Sequence, residues 1–264
     1  MDVRTIADRA PRYEHEGTTT VWWMYDAREA FAQTAGRHLE FLAELEVAGG
    51  AELPPHVLAG HEYFYMLAGR GLMTVGGETR EVGPFDLVSV PPDVPRSLAP
   101  ASPHAPVRLL AYAVGESQAG EVPGLGEPGA TGGGQYRSIR DAAPTHPHEG
   151  VSVWWLVAPG ELSGITAGGH LELANEWEVD GGGAVHTHAH PTYEFYYGLT
   201  GRGVMTLDGE DREVGPGDLV LIPPDAPHSI RPIGDHAPIR CFCFAVGLAG
   251  SAAYDYAHDH AAAA

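Results

Sequence analysis

His186-Thr187-His188-Ala189-His190-Pro191-Thr192-Tyr193-Glu194 gathers three imidazoles and a carboxylate, and a lone His228 follows 34 residues after Glu194. Side chains alternate faces along an extended strand, so His188 and His190 point the same way, one rung apart. Glu194 keeps that parity after the bend that Pro191 invites. Imidazoles with one carboxylate make a ligand set for Fe, Mn, Ni, Cu or Zn that leaves positions open for water or substrate.

The stretch sits in a wider frame: Gly182-x5-His188-x-His190-x3-Glu194-x6-Gly201, then Gly217-x5-Pro223-x-Asp225-x2-His228. This frame resembles the two motifs of the cupin superfamily. The resemblance implies a small β-barrel that holds one divalent transition metal, Fe or Mn favoured, by His188, His190, Glu194 and His228. His186 and His188 also form an HxH pair, but only the 188/190 reading fits both flanking glycines and the spacing to Glu194. His186 falls on the same face one rung out, roughly 6.5 Å along the strand, and is expected at the pocket mouth. A solvated, His-rich loop would explain neither the glycine spacing nor His228.

Shifting the chain by 132 residues lays one half on the other. Val21-Trp22-Trp23 maps to Val153-Trp154-Trp155, Gly69-Arg70-Gly71 to Gly201-Arg202-Gly203, and Pro91-Pro92-Asp93 to Pro223-Pro224-Asp225. Agreement at one constant offset marks an internal duplication, and copies of about 115 residues are domains rather than solenoid units. The expected partition is a first domain over 1–115, a Gly/Pro-rich linker over 116–135, a second domain over 136–250 and a loose tail over 251–264. Within each half, short alternating segments such as Thr20–Tyr25, His38–Val47, Glu62–Leu67, Leu72–Val75, Asp86–Val90 and Val107–Val114 read as strands. Gly76-Gly77 and Asp208-Gly209 read as hairpin turns. The only helix candidate, a weak one, lies near Ala27 to Gln33. The fold class is therefore all-β, with two tandem antiparallel jelly-roll barrels. The cupin resemblance covers nearly the whole chain, as a bicupin.

At the same offset the first half departs from the ligand set. His188 and Glu194 are matched by His56 and Glu62, but His190 is matched by Leu58 and His228 by Arg96. A guanidinium is a permanent cation and cannot ligate a metal, so the first domain is expected to be metal-free. Three roles remain for Arg96: pairing with Glu62 in the metal's electrostatic place, binding an anion together with His56, or filling a repurposed, packed interior. The sequence favours the last. His61 falls on the opposite face from Glu62. Each tryptophan pair should point one ring inward and one outward, the outward rings serving core filling, contact between barrels or a possible homodimer. Near the metal, Tyr196 shares the parity of Glu194 and joins the four ligands as a candidate catalytic residue. Arg240, Phe242 and Phe244 share one face of the last strand and are candidates for the pocket wall.

Composition limits the partners. With 44% hydrophobic and 19% charged residues the chain can bury a real core. A net charge of −20, from 15 basic and 35 acidic residues, argues against nucleic acid and anionic membranes, whose binding needs lysine and arginine. No signal peptide is visible, and the longest apolar run, around Cys241 to Leu248, falls well short of the ~20 residues of a membrane helix. Cys241 and Cys243 lie two apart on one strand, poor geometry for a disulfide, and point to a reducing, cytoplasmic setting. The function expected is a metal-dependent enzyme acting on a small oxygen-bearing molecule, with a dioxygenase placed first. Isomerase, lyase, decarboxylase or aminohydrolase chemistry is the alternative, and a non-catalytic small-molecule binder the third.

Overall fold

The computed structural model describes residues 1–36, 39–115, 132–161, 163–234 and 237–247. Short alternating strands separated by turn residues cannot bury an apolar face alone, and each half solves this by pairing two antiparallel sheets. In the first unit the larger sheet runs, in spatial order, Gln135–Ser138, Asp86–Val90, His61–Ala68, Val107–Val114, Leu39–Val47, Thr19–Tyr25, Arg12–Glu14. Its smaller sheet runs Leu53–His56, Arg96–Pro100, Gly71–Val75, Glu78–Val82. In the second unit the larger sheet is Asp2–Thr5, Asp218–Ile222, Tyr193–Thr200, Ile239–Val246, Leu171–Val179, Val151–Val157. The smaller one is Val185–His188, His228–Pro232, Gly203–Leu207, Glu210–Val214. Every pairing among the described strands is antiparallel.

The all-β reading holds, and the strands expected over Asp86–Val90 and Val107–Val114 appear with those bounds. Both hairpin turns have positive φ at the two central residues, 51° and 79° at Asp208-Gly209 and 58° and 89° at Gly76-Gly77. That geometry matches the right-handed twist of the flanking strands and selects the DG and GG pairs. The short helix Ala27–Gln33 also forms. Asp26 accepts from the backbone N–H groups of Arg28 and Glu29 while Glu29 reaches back to the Asp26 N–H, a reciprocal cap.

The domain partition differs from expectation at its ends. The compact units are Asp8–Ser138 and Met1–Ala7 together with the chain from Ile139. Residues 2–5 pair with Asp218–Leu221 of the second unit, and residues 135–138 pair with Asp86–Ser89 of the first. Edge pairing of this kind joins segments distant in sequence, which no local pattern announces. Residues 116–131 of the expected linker and the whole expected tail lie outside the described residues. Cys241 and Cys243 are buried free thiols. Among the described residues no helix is long and apolar enough to cross a membrane.

The inner faces of the sheets form the cores. In the second unit Leu173, Trp177, Tyr196, Val220, Ile222, Cys241, Cys243 and Ala245 of the larger sheet pack with Met205, Leu207 and Ile230 of the smaller. Of the tryptophan pairs, Trp23 and Trp155 pack against the cores. Trp154 lies under the Arg240 guanidinium, 4.8 Å from its ring centre.

Two frame glycines are required by backbone shape. Gly69 and Gly201 have φ of 79° and 74°, and a Cβ at either would overlap a backbone carbonyl oxygen, of Pro106 or Pro238. Gly201→Ala should lower unfolding free energy by about 3 kcal/mol, from left-handed strain plus overlap. A urea midpoint equal to that of the unchanged chain would show that the turn relaxes freely.

Candidate metal centre

The strand Val185–His188 ends at His188, whose direct cross-strand partner is His228, first residue of its own strand. His190 lies beyond the strand end rather than one rung along it. A turn brings it back: its carbonyl oxygen accepts from the Asp225 N–H at 2.6 Å, tying the segment to the loop that leads into His228. Glu194 enters from the next strand, Tyr193–Thr200. The residues grouped by strand parity do come together, although the convergence of His190 comes from a turn.

The four side chains meet. One ligand atom from each of His188, His190 and His228 can be chosen so that all lie within 4.8 Å of one another. Glu194 Oε2 stands 3.3 Å from His190 Nε2 and 3.4 Å from His228 Nε2. His190, Glu194 and His228 are buried, while His188 is half-buried. His188 Nδ1 lies 2.7 Å from the His186 carbonyl oxygen and His228 Nδ1 3.0 Å from that of Ala226. A proton on each Nδ1, donated to its carbonyl, leaves the Nε2 lone pair for the cluster. Burial, with the neighbouring His228 and His190, lowers the His188 pKa to about 3, so this ring is neutral. Burial pushes the Glu194 carboxyl up, but the His190 and His228 imidazoles outweigh it and hold the group well below the usual carboxylate range. Its Oε2 lies against both Nε2 atoms yet has no hydrogen bond of good geometry among the described residues.

A buried carboxylate oxygen without a hydrogen bond, facing inward lone pairs, is a donor set that fits a divalent transition cation. His186 is exposed and outside the set, its ring 5.2 Å from that of His148. Tyr196 is buried with its hydroxyl 3.4 Å from His228 Nε2. Burial, then the Glu194 charge, raises its pKa well above the ordinary value, so it stays a phenol.

The first unit has the same frame with different chemistry. His56 is the cross-strand partner of Arg96, as His188 is of His228. Arg96 is 1% exposed, and its Nε donates to Glu62 Oε2 at 2.6 Å while a second guanidinium nitrogen pairs with the same oxygen. His56 Nε2 is 3.8 Å from that oxygen. Leu58, Phe64, Met66 and Met73 pack in the same core. The pairing and the packed-interior readings of Arg96 therefore describe the same site. The guanidinium is already engaged, which removes the basis for the anion reading. His61 faces away, stacked on Tyr63.

One expectation is corrected. In an antiparallel sheet, residues directly opposite share a face. Tyr196 opposes Cys243 and Glu194 opposes Ala245, whereas Phe244 opposes Phe195 and Phe242 opposes Tyr197. Phe242, Phe244 and Arg240 therefore stand on the outer face. Phe244 stacks on Phe195 at 4.8 Å, and Arg240 Nε donates to Glu176 at 2.6 Å. The inner wall is instead built from Asn175, Trp177, Cys241 and Cys243, with Cys243 Sγ 3.9 Å from Glu194 Oε1. Parity within one strand could not find them, because it does not give the register between strands.

The cupin-domain family model matches this chain twice, over residues 43–112 and 175–245, which together make up more than half of it. The chain belongs to the cupin family. It carries two cupin domains in the relation the duplication requires. An uncharacterized protein of Methanocaldococcus jannaschii is 51% identical over 57 residues, 21% of this chain, which spans 45% of that relative's length. Among solved structures, a serine-to-alanine mutant of Bacillus subtilis oxalate decarboxylase superposes with a TM-score of 0.68 at 19% identity, covering 92% of this cupin and 76% of that chain. The formate complex of Lactobacillus farciminis oxalate decarboxylase gives 0.66 at 17% identity, covering 93% and 86%. Another structure of the Bacillus enzyme, at a TM-score of 0.67, 19% identity and coverage of 92% and 76%, concerns its Mn(II) centres. At these identities the likeness establishes the fold.

Arg96→Leu should destabilise the chain by about 3–5 kcal/mol in urea unfolding, because it leaves the Glu62 charge buried alone. Adding Glu62→Leu should recover most of that loss. A double variant no better than the single would mean that packing, not charge, is the contribution of Arg96.

Proposed function

We propose that the second cupin domain holds one divalent transition metal on His188, His190, Glu194 and His228, and that this bicupin is a metal-dependent enzyme acting on a small oxygen-bearing organic acid. The observation that carries the reading is the buried Glu194 oxygen, without a hydrogen bond, facing three imidazoles. Mn is the favoured ion, supported by the Mn(II) centres named for the Bacillus relative. Such an ion would supply Lewis acidity, drawing electron density from a substrate oxygen.

The residues of this chain supply the rest. Glu194 sets the charge of the centre, since three neutral imidazoles and one carboxylate reduce a divalent charge by one. Half-buried His188 marks the solvent-accessible side, while buried His190 and His228 close the others. Tyr196 keeps its proton, and a phenol beside His228 is a proton source for carbanionic carbon. For loss of CO₂ from a carboxylate, the carbon–carbon bond breaks, its electron pair stays on the remaining carbon, and that carbon takes the Tyr196 proton. Water then restores the phenol. This proton source and the likeness to oxalate decarboxylases support decarboxylation over the dioxygenase reading that the sequence put first.

Three outcomes test the proposal. Elemental analysis should return one metal equivalent per chain, none for His190→Ala and one for His186→Ala. Leu58→His with Arg96→His should raise the count to two, since the first domain already has His56 and Glu62 in place. Metal-loaded protein assayed with small carboxylic acids should turn over fully under anaerobic conditions, and Tyr196→Phe should lower kcat about 10²-fold or more while changing KM little. Consumption of O₂ in step with substrate would restore the dioxygenase reading. Turnover by a metal-free His188→Ala/His228→Ala variant would remove both.

A further inference from the structure

The inner face of the second domain carries polar atoms that the four-residue cluster does not use. Asn175, Cys243, Tyr196 and Val220 form one cross-strand row of the larger sheet. The next row holds Leu173, Ala245, Glu194 and Ile222. Trp177 lies two residues along from Asn175 on the same face, its ring 5.2 Å from that of Tyr196 and edge-on to it. Asn175 and Trp177 are each 5% exposed. Asn175 Oδ1 and Trp177 Nε1 have no hydrogen-bond partner among the described residues. Two such atoms on one wall are costly to bury unless something that enters the domain satisfies them.

The first domain is an internal control. At the 132-residue offset Asn175, Trp177, Tyr196 and Cys243 become Ala43, Leu45, Phe64 and Ala111. The row itself is preserved, since Ala43 opposes Ala111, which opposes Phe64, which opposes Val88. The domain in which Leu58 and Arg96 break the ligand set thus also has an inner wall stripped of polar side chains at every one of these places. If these groups served packing alone, the duplicated frame would have no reason to lose them together with the ligands.

We infer that Asn175 and Trp177, with Tyr196, form a substrate-orienting wall that binds the uncharged oxygen group of a small hydroxy or oxo acid. This rests on the proposed metal-dependent reading and names the substrate class for that site. An indole N–H only donates, so it seeks an acceptor oxygen, while the Asn175 amide both accepts and donates. The rows contain no lysine or arginine, so the carboxylate of the substrate has its cationic partner only at the ligand cluster. The group left for the wall is a hydroxyl or carbonyl. Tyr196 joins the two regions, through its ring contact to Trp177 and its hydroxyl beside His228.

The test uses full-length chain loaded with Mn(II). Its paramagnetic resonance is titrated with propionate, lactate, 3-hydroxypropionate and pyruvate. The unchanged chain should bind at least one of the three oxygenated acids about tenfold or more tighter than propionate. Trp177→Phe and Asn175→Ala should each erase about tenfold of that preference while leaving one bound Mn(II) and the propionate affinity as they were. Trp154→Phe, on the outer face, should leave the preference untouched. A preference unchanged in both wall variants, or absent from the unchanged chain, would overturn the inference and leave the metal site standing. Equal loss for every acid, propionate included, would overturn it in favour of a structural role. Failure of the unchanged chain to bind Mn(II) would instead overturn the metal reading, and the wall with it.

Discussion

Each domain of this bicupin buries a carboxylate at the same place, Glu62 at 4% exposure and Glu194 at 3%. Removing a carboxylate from water is costly unless a cation or several donors face it. The first domain answers with the Arg96 guanidinium, bound through two nitrogens. The second answers with three imidazoles whose orientation leaves Glu194 Oε2 close to nitrogen but without a hydrogen bond. A divalent cation is a partner that this donor set fits, and the proposed metal site would be the counterpart of the arginine. One electrostatic problem has two solutions in one chain.

Both solutions depend on the same backbone. The cross-strand pairs His56 with Arg96 and His188 with His228 place the two groups opposite each other in each domain. Matching bonds, from Asp93 N–H to the Leu58 carbonyl and from Asp225 N–H to that of His190, fold the following segment back. Asp93 and Asp225 both adopt positive φ, 61° and 60°, a conformation that aspartate tolerates better than most residues. The frame is therefore indifferent to its contents. Substituting Leu58 for His190 and Arg96 for His228 changes the chemistry without moving the chain.

The sequence read well wherever the information was local. The turn pairs Gly76-Gly77 and Asp208-Gly209, the weak helix signal near Ala27 to Gln33 and the 132-residue repeat are short-range or periodic signals, and the structure bears out the elements they mark. What it hid was register. Parity places Tyr196 beside Glu194, but which residues of the last strand join them depends on pairing between strands far apart in sequence. Parity alone therefore leaves Phe242 and Phe244 as candidates for a wall that the register gives to Cys241 and Cys243. Asn175 and Trp177 escaped for the same reason, although a comparison of the halves at Ala43 and Leu45 held the hint. The exchanged edge strands at 2–5 and 135–138 are non-local again, and no motif marks them.

The central claim is that the second domain closes its buried carboxylate with a metal ion and the first with an arginine. Anomalous diffraction from crystals of Mn(II)-loaded protein, recorded above and below the manganese edge, tests it most directly. The account predicts one edge-dependent peak among His188, His190, Glu194 and His228, and none beside Glu62 and Arg96. A second domain without a peak, or a peak next to Glu62, would contradict it.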